Sequence, residues 1–188
     1  YGEEEMQRSY GTLLPVPEAR VRVVEDGETV MLAGRALECI DTPGHARHHH
    51  CIWDARSRSW FTGDTFGLSY RELDGPQGAF ILPTTSPVQF EPQALKASIA
   101  RMVGRAPEAM YLTHYGPVSD VPRLAQSLYE QIDAMVAIAD ACDGRADRHR
   151  CIAAALSALY LERAHAQQVP LADEDVLRLL AMDVELNA

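Results

Sequence analysis

Between Glu38 and Thr65 the chain reads ECIDTPGHARHHHCIWDARSRSWFTGDT, a stretch that leaves few ways to fold. An apolar segment ending at Asp41 runs into Thr42-Pro43-Gly44 and turns onto His45. A second extended segment, His50 to Asp54, turns back through Arg56-Ser57-Arg58, and a third, Trp60 to Thr62, breaks at Gly63-Asp64. A His and an Asp therefore each follow a strand end, beside a glycine that permits close backbone approach. Strand ends fix loop residues in place and leave one side open, as a metal or substrate site requires.

The flanking sequence extends this sheet. Val21 and Val23, then Val30 and Leu32, bracket Glu25-Asp26-Gly27 and predict a hairpin about a D-G turn. With the strand from Leu37 to Asp41 this makes five short strands by residue 63. Residues 1–20, polar with Gly11, Pro15 and Pro17, read as a connector. Residues 66–90 are irregular and too long for a plain loop, so they are expected to line a site or pack as an ordered wall. Pro92 opens a helix with Leu95, Ile99, Met102 and Val103 on one face, stopped by Gly104. Ala109 to Thr113 is a short strand that delivers His114 into Tyr115-Gly116-Pro117.

Beyond residue 118 the pattern is helical. One helix, capped by Asp120, carries Leu124, Leu128, Ile132, Met135 and Ala139; a second is capped by Asp147; a third runs from about Asp173 to Leu186. Core packing explains such stripes, with a partner-binding or dimerising face as the alternative. The expected division is thus a sheet-bearing part over residues 1–118 and a helical extension over 119–188.

A formal charge of −10 argues against nucleic-acid or anionic-membrane partners, which need a basic patch. No apolar run approaches the roughly 20 residues that span a bilayer. The acidic opening Tyr1-Gly2-Glu3-Glu4-Glu5 lacks the apolar core of a secretory leader. Cys39, Cys51, Cys142 and Cys151 contain no C-x-x-C pair and read as reduced, mostly buried thiols of a cytoplasmic protein.

Imidazole nitrogen and carboxylate oxygen suit Zn²⁺, Fe or Mn²⁺, and a carboxylate can bridge two ions. Taken singly, His45, Asp64 and His114 are ordinary turn residues. Taken in order, Thr42-Pro43-Gly44-His45 with His49, then Phe61-Thr62-Gly63-Asp64, then Leu112-Thr113-His114-Tyr115-Gly116-Pro117 resemble the second half of a metallo-β-lactamase superfamily hydrolase. The resemblance covers roughly residues 21–118. It implies an α/β fold, the C-terminal half of an αββα sandwich, and a site for two divalent metals, zinc first with Fe or Mn as alternatives. His45 and His114 would bind different metals and Asp64 would bridge them. Among branches of the superfamily the arrangement is similar to glyoxalase II.

Two departures matter. The run His48-His49-His50 replaces the small residue usual before the second His; alternation on a strand would turn His48 and His50 away from His49, so the three cannot share one metal. His49 is expected either to touch substrate or to orient a ligand. The second departure is larger: the H-x-H-x-D-H motif that supplies most metal ligands in that family does not occur in this sequence. With the missing Met start, this reads as the C-terminal portion of a longer protein. Its inner sheet face is then expected to be covered by the N-terminal half or by a second copy, as in a homodimer.

The implied reaction is attack by a metal-activated hydroxide on an ester, thioester or lactone of a small molecule. Tyr70, Tyr115 and the Thr84-Thr85-Ser86 cluster are candidate cleft residues, although turn chemistry explains that cluster equally well. Three alternatives stand beside it: an iron-dependent persulfide dioxygenase, a non-catalytic self-associating module with a remnant metal site, and metal storage by the His45–His50 cluster.

Overall fold

A computed structural model of the chain describes residues 2–85 and 89–188. Four strands precede residue 64: β1 (Thr29–Leu32), β2 (Arg35–Asp41), β3 (His50–Asp54) and β4 (Ser59–Gly63). Helix α1 spans Glu3–Tyr10 and α2 Pro92–Val103, followed by β5 (Ala109–Leu112) and β6 (Gly116–Val118). Four further helices close the order, α3 (Val121–Ala141), α4 (Arg148–Ala166), α5 (Asp173–Leu179) and α6 (Ala181–Asn187). The six strands form one sheet in sequential order, antiparallel throughout except for β4 and β5, which run parallel. That parallel pair needs a crossover, and α2 supplies it.

The register places Trp53 opposite Trp60 and Trp60 opposite Met110, so these residues share one face. Trp60 and Met110 are fully buried there against Leu95, Ile99 and Met102 of α2. The Trp60 indole N–H donates to the Met102 carbonyl at 3.0 Å, which fixes α2 across the sheet. Leu124, Leu128 and Ile132 of α3 join the same core. The sheet-bearing part and the start of the helical part therefore share one core. A second core joins Leu68, Tyr70, Leu73, Phe80 and Leu82 of the irregular segment to Ile152, Leu156 and Tyr160 of α4 and Val176 of α5. On the opposite sheet face Phe61 and Tyr111 stack with centroids 5.1 Å apart and stay 45% and 38% exposed.

Several expectations change. The hairpin turn is Ala33-Gly34, both at positive φ, so β1 begins after the Asp26-Gly27 turn and Val21 and Val23 lie outside the sheet. This leaves four strands by residue 63 among the described residues, not five. Residues 3–10 form a helix, whose acidic first residues Glu3 and Glu4 complement its dipole. Asp120 and Asp147 stand at helix N-termini without side-chain caps; Asp120 pairs with Arg123 and Asp147 with Arg145 and Arg150. The last helix is two, broken at Leu180.

Cys142 and Cys151 form a disulfide, which corrects the reading of four reduced thiols. Their nine-residue separation spans the turn between α3 and α4, so two adjoining helix ends bring them together. Cys39 and Cys51 remain buried thiols. Among the described residues no helix is long and apolar enough to cross a membrane.

Candidate metal centre

Three loops at one end of the sheet carry the candidate donors. The first follows β2. Glu91 N–H donates to the Gly44 carbonyl at 2.8 Å and the Ser98 hydroxyl to the Pro43 carbonyl at 2.7 Å, so α2 clasps the turn. Gly44 lies so close to α2 that a Cβ there would sit 2.2 Å from the Leu95 backbone nitrogen. That contact presses His45 into the site at 17% side-chain exposure.

The second loop follows β4, where the register shifts between Phe61 and Gly63. Gly63 has φ +50, which turns the chain so that Asp64 leaves the sheet plane. The third is the tip of the β5–β6 hairpin. His114 stands there, and Tyr115 takes φ +74 to bring the chain back. Arg71 holds this tip by donating to the carbonyls of Tyr115 and Pro117.

The three donors meet about one carboxylate. His45 Nε2 lies 3.7 Å from Asp64 Oδ2, and His114 Nε2 lies 3.4 Å from Asp64 Oδ1. Each imidazole thus addresses a different oxygen. His45 Nδ1 sits 3.2 Å from the Thr84 carbonyl, which can only accept, so Nδ1 donates there and Nε2 is the nitrogen turned toward Asp64. The Thr84 hydroxyl donates to the Asp64 carbonyl at 2.8 Å, so one threonine steadies two candidate ligands.

His49 stands behind Asp64. The Asp64 backbone N–H donates to His49 Nε2 at 2.9 Å, and His49 Nδ1 lies 2.9 Å from the Thr65 hydroxyl. Both ring nitrogens are engaged, so His49 holds Asp64 and has no nitrogen left for a substrate. Burial foremost, then the nearby His45, lowers its pKa and favours the neutral ring that this pairing needs. Thr65 donates onward to Thr42, which contacts the Cys51 thiol. Burial pushes that thiol up to about 11, so Cys51 is no nucleophile at neutral pH.

The other sequence candidates fall into two groups. Tyr115 is exposed beside His114, with ring centroids 6.1 Å apart. Tyr70 is buried beneath Tyr115 at 4.5 Å, and its hydroxyl donates to Asp183 at 2.9 Å, which leaves it supporting Tyr115 instead of reaching a substrate. Burial foremost and then Asp183 raise the Tyr70 pKa, so the phenol stays protonated. His48 and His50 are exposed and line a separate hollow with Glu25, Asp26 and Asp41. Only His50 lies on a strand; His48 is in the preceding turn. Thr85 bonds Asn187, and Ser86 lies outside the described residues.

Sequence reasoning missed Thr42 and Thr65, and it offered Thr84 as a cleft residue where the structure has it steadying His45 and Asp64. The first two adjoin the TPGH and TGD motifs and could have been noticed there, whereas Thr84 reaches the site only through the fold.

The donor set fits divalent metal. Asp64 Oδ1 is buried and has no hydrogen-bond partner, an arrangement that is costly for a carboxylate oxygen unless a cation or further donor completes it. The two imidazoles present their Nε2 atoms on either side. Among the described residues, however, no three His, Cys, Asp or Glu side chains converge on one ion. One His stands beside each carboxylate oxygen.

Residues 1–114 match the family model of the metallo-beta-lactamase superfamily. The metallo-beta-lactamase fold-containing protein ST1585 of Sulfurisphaera tokodaii is 30% identical over 113 residues, 60% of this chain and 39% of that protein. Among solved structures, the chain is similar to the archaeal metallo-beta-lactamase superfamily protein ST1585 from Sulfolobus tokodaii. That match has 28% identity and a TM-score of 0.53, over 70% of this chain and 46% of the other. The metallo-beta-lactamase family protein TTHA1429 from Thermus thermophilus shares the fold at 19% identity and a TM-score of 0.58, over 97% of this chain and 55% of the other. The chain therefore spans between 39% and 55% of the length of these relatives.

Proposed function

Since this chain belongs to the metallo-β-lactamase superfamily, we propose that it carries the Asp64 half of a dinuclear metal site, zinc first, in a parent protein that hydrolyses a carbonyl-type bond of a small molecule. The observation that carries this reading is the Asp64 carboxylate, with one oxygen toward each imidazole and Oδ1 buried without a hydrogen-bond partner. Metal ions bound there would supply Lewis acidity and lower the pKa of a water from about 15.7 to roughly 7.

The residues of the chain prepare that site. Asp64 would bridge, His45 and His114 would hold one ion each, and His49 and Thr84 would keep these donors oriented and in the right tautomer. Tyr115, exposed next to His114, would offer a ring face to the substrate. A carboxylate bridge followed by a late His aligns this arrangement with the glyoxalase II-like branch. The donors still lacking to each half-site would come from the parent protein outside this chain. The Phe61–Tyr111 face would lie under the same missing half, or under a second copy. A monomeric chain with no bound partner in sedimentation would contradict that cover.

Zinc titration of point variants of the parent protein tests the reading. Asp64→Ala should abolish uptake, while replacing His48 and His50 together should leave it unchanged. The reverse pattern would assign metal to the histidine run and overturn the bridging role.

A further inference from the structure

We propose that helix α6 is a strut that holds the two half-sites in register, with Asp183 and Asn187 as positioning residues for the candidate ligands on either side. This inference rests on the metal reading above and names residues that it does not use. The ligand loops come from different hairpins, and no hydrogen bond among the described residues joins His45 directly to His114. Something must set the spacing across Asp64.

One helix touches both sides. Toward His45, Asn187 Oδ1 accepts from the Thr85 hydroxyl, next to the Thr84 that holds His45 Nδ1 and the Asp64 carbonyl. The other end of the Asn187 amide donates to the Asp183 carbonyl at 2.6 Å, which fixes its orientation on the helix. Toward His114, Asp183 Oδ2 accepts from the Tyr70 hydroxyl, and the Tyr70 ring supports Tyr115, the residue after His114. The two arms are one helical turn apart, so α6 spans the gap as a rigid piece.

The chemistry of Asp183 argues that this arm is more than packing. It is 9% exposed and has no ion-pair partner within 4.0 Å among the described residues. A buried carboxylate without a cation is costly, and an apolar residue would pack there at less expense. Burial raises its pKa, opposed by the Tyr70 hydroxyl and by its own backbone N–H. Asp183 thus connects through Tyr70 and Tyr115 with one candidate ligand, and Asn187 through Thr85 and Thr84 with the other.

The test compares Asp183→Ala, Asp183→Asn and Asn187→Ala in the intact chain. It is read by long-range proton–nitrogen spectra of the imidazoles without metal in this chain, and by zinc titration of the parent protein carrying the same variants. Asp183→Ala should move the His114 resonances and Asn187→Ala those of His45, with His48 and His165 unmoved. Asp183→Asn keeps an oxygen acceptor for Tyr70 and should restore His114. Zinc affinity should fall about tenfold in either alanine variant, the usual scale for losing a residue that orients a ligand. Folded variants with unmoved His45 and His114 resonances would overturn the strut. If the resonances respond but Asp64→Ala leaves zinc uptake intact, the strut stands and the metal reading falls.

Discussion

Replacing Gly63 with alanine tests the local geometry on which the site depends. Gly63 has φ +50, where an alanine costs about 1 kcal/mol. Its Cβ would also lie 2.3 Å from His49 Cε1 and 2.5 Å from His49 Nε2, distances that no folded protein tolerates. His49 must swing away and abandon the Asp64 N–H, leaving a buried donor unsatisfied at about 2 kcal/mol. The sum is about 3 kcal/mol, and a domain of this length loses roughly 2–4 °C per kcal/mol, so melting should fall by roughly 6–12 °C. Gly144 is the matched control, because its φ is +69 and a Cβ there meets nothing within 4 Å. Gly144→Ala should lose only the backbone part, about 1 kcal/mol. In a His49→Ala background, Gly63→Ala should cost no more than Gly144→Ala, since the clash has no partner. Equal melting points for the two single variants would refute the placement of His49 behind Asp64.

Other consequences follow from separate parts of the fold. Thr84→Val removes the hydroxyl bond to the Asp64 carbonyl and should weaken zinc binding by the parent protein about fivefold, the effect of about 1 kcal/mol in one hydrogen bond, measured by titration. The Asp54 carboxyl is held well below the usual carboxylate range by the Arg35 guanidinium and then by Ser57. A depressed folded pKa stabilises above the unfolded value of 3.8 and is lost as pH falls below it, so Asp54→Asn should flatten the acid side of the urea-midpoint profile. Reducing the Cys142–Cys151 disulfide should cost about 2–3 kcal/mol in urea unfolding, with Cys142→Ser insensitive to reductant.

How far the sequence revealed this molecule depended on how local the signal was. Strands β3 and β4 and helix α2 were legible because alternation, Pro92 and Gly104 mark them within a few residues. That His45, Asp64 and His114 would gather was legible for the same reason: each follows a strand end beside a turn. The register of the first hairpin was not, because two glycine turns compete and Ala33-Gly34 wins through its positive φ pair. The disulfide escaped because its cysteines meet across a helix–turn–helix, where sequence spacing says little. Asp183 and Asn187, and the part Thr84 plays as a support instead of a cleft residue, were invisible for a different reason. They reach the site from residues 20 or more positions away, and only the packing of the irregular segment against α4, α5 and α6 places them there.

The central claim is that Asp64 bridges two metals whose remaining ligands lie outside this chain. The most direct measurement is metal content per chain by elemental analysis, made on this chain and on the parent protein, each with and without Asp64→Ala. The account predicts two metals in the parent protein, little or none retained by the chain alone, and loss of both on replacing Asp64. A full complement in the isolated chain, or retention of both metals without Asp64, would contradict it.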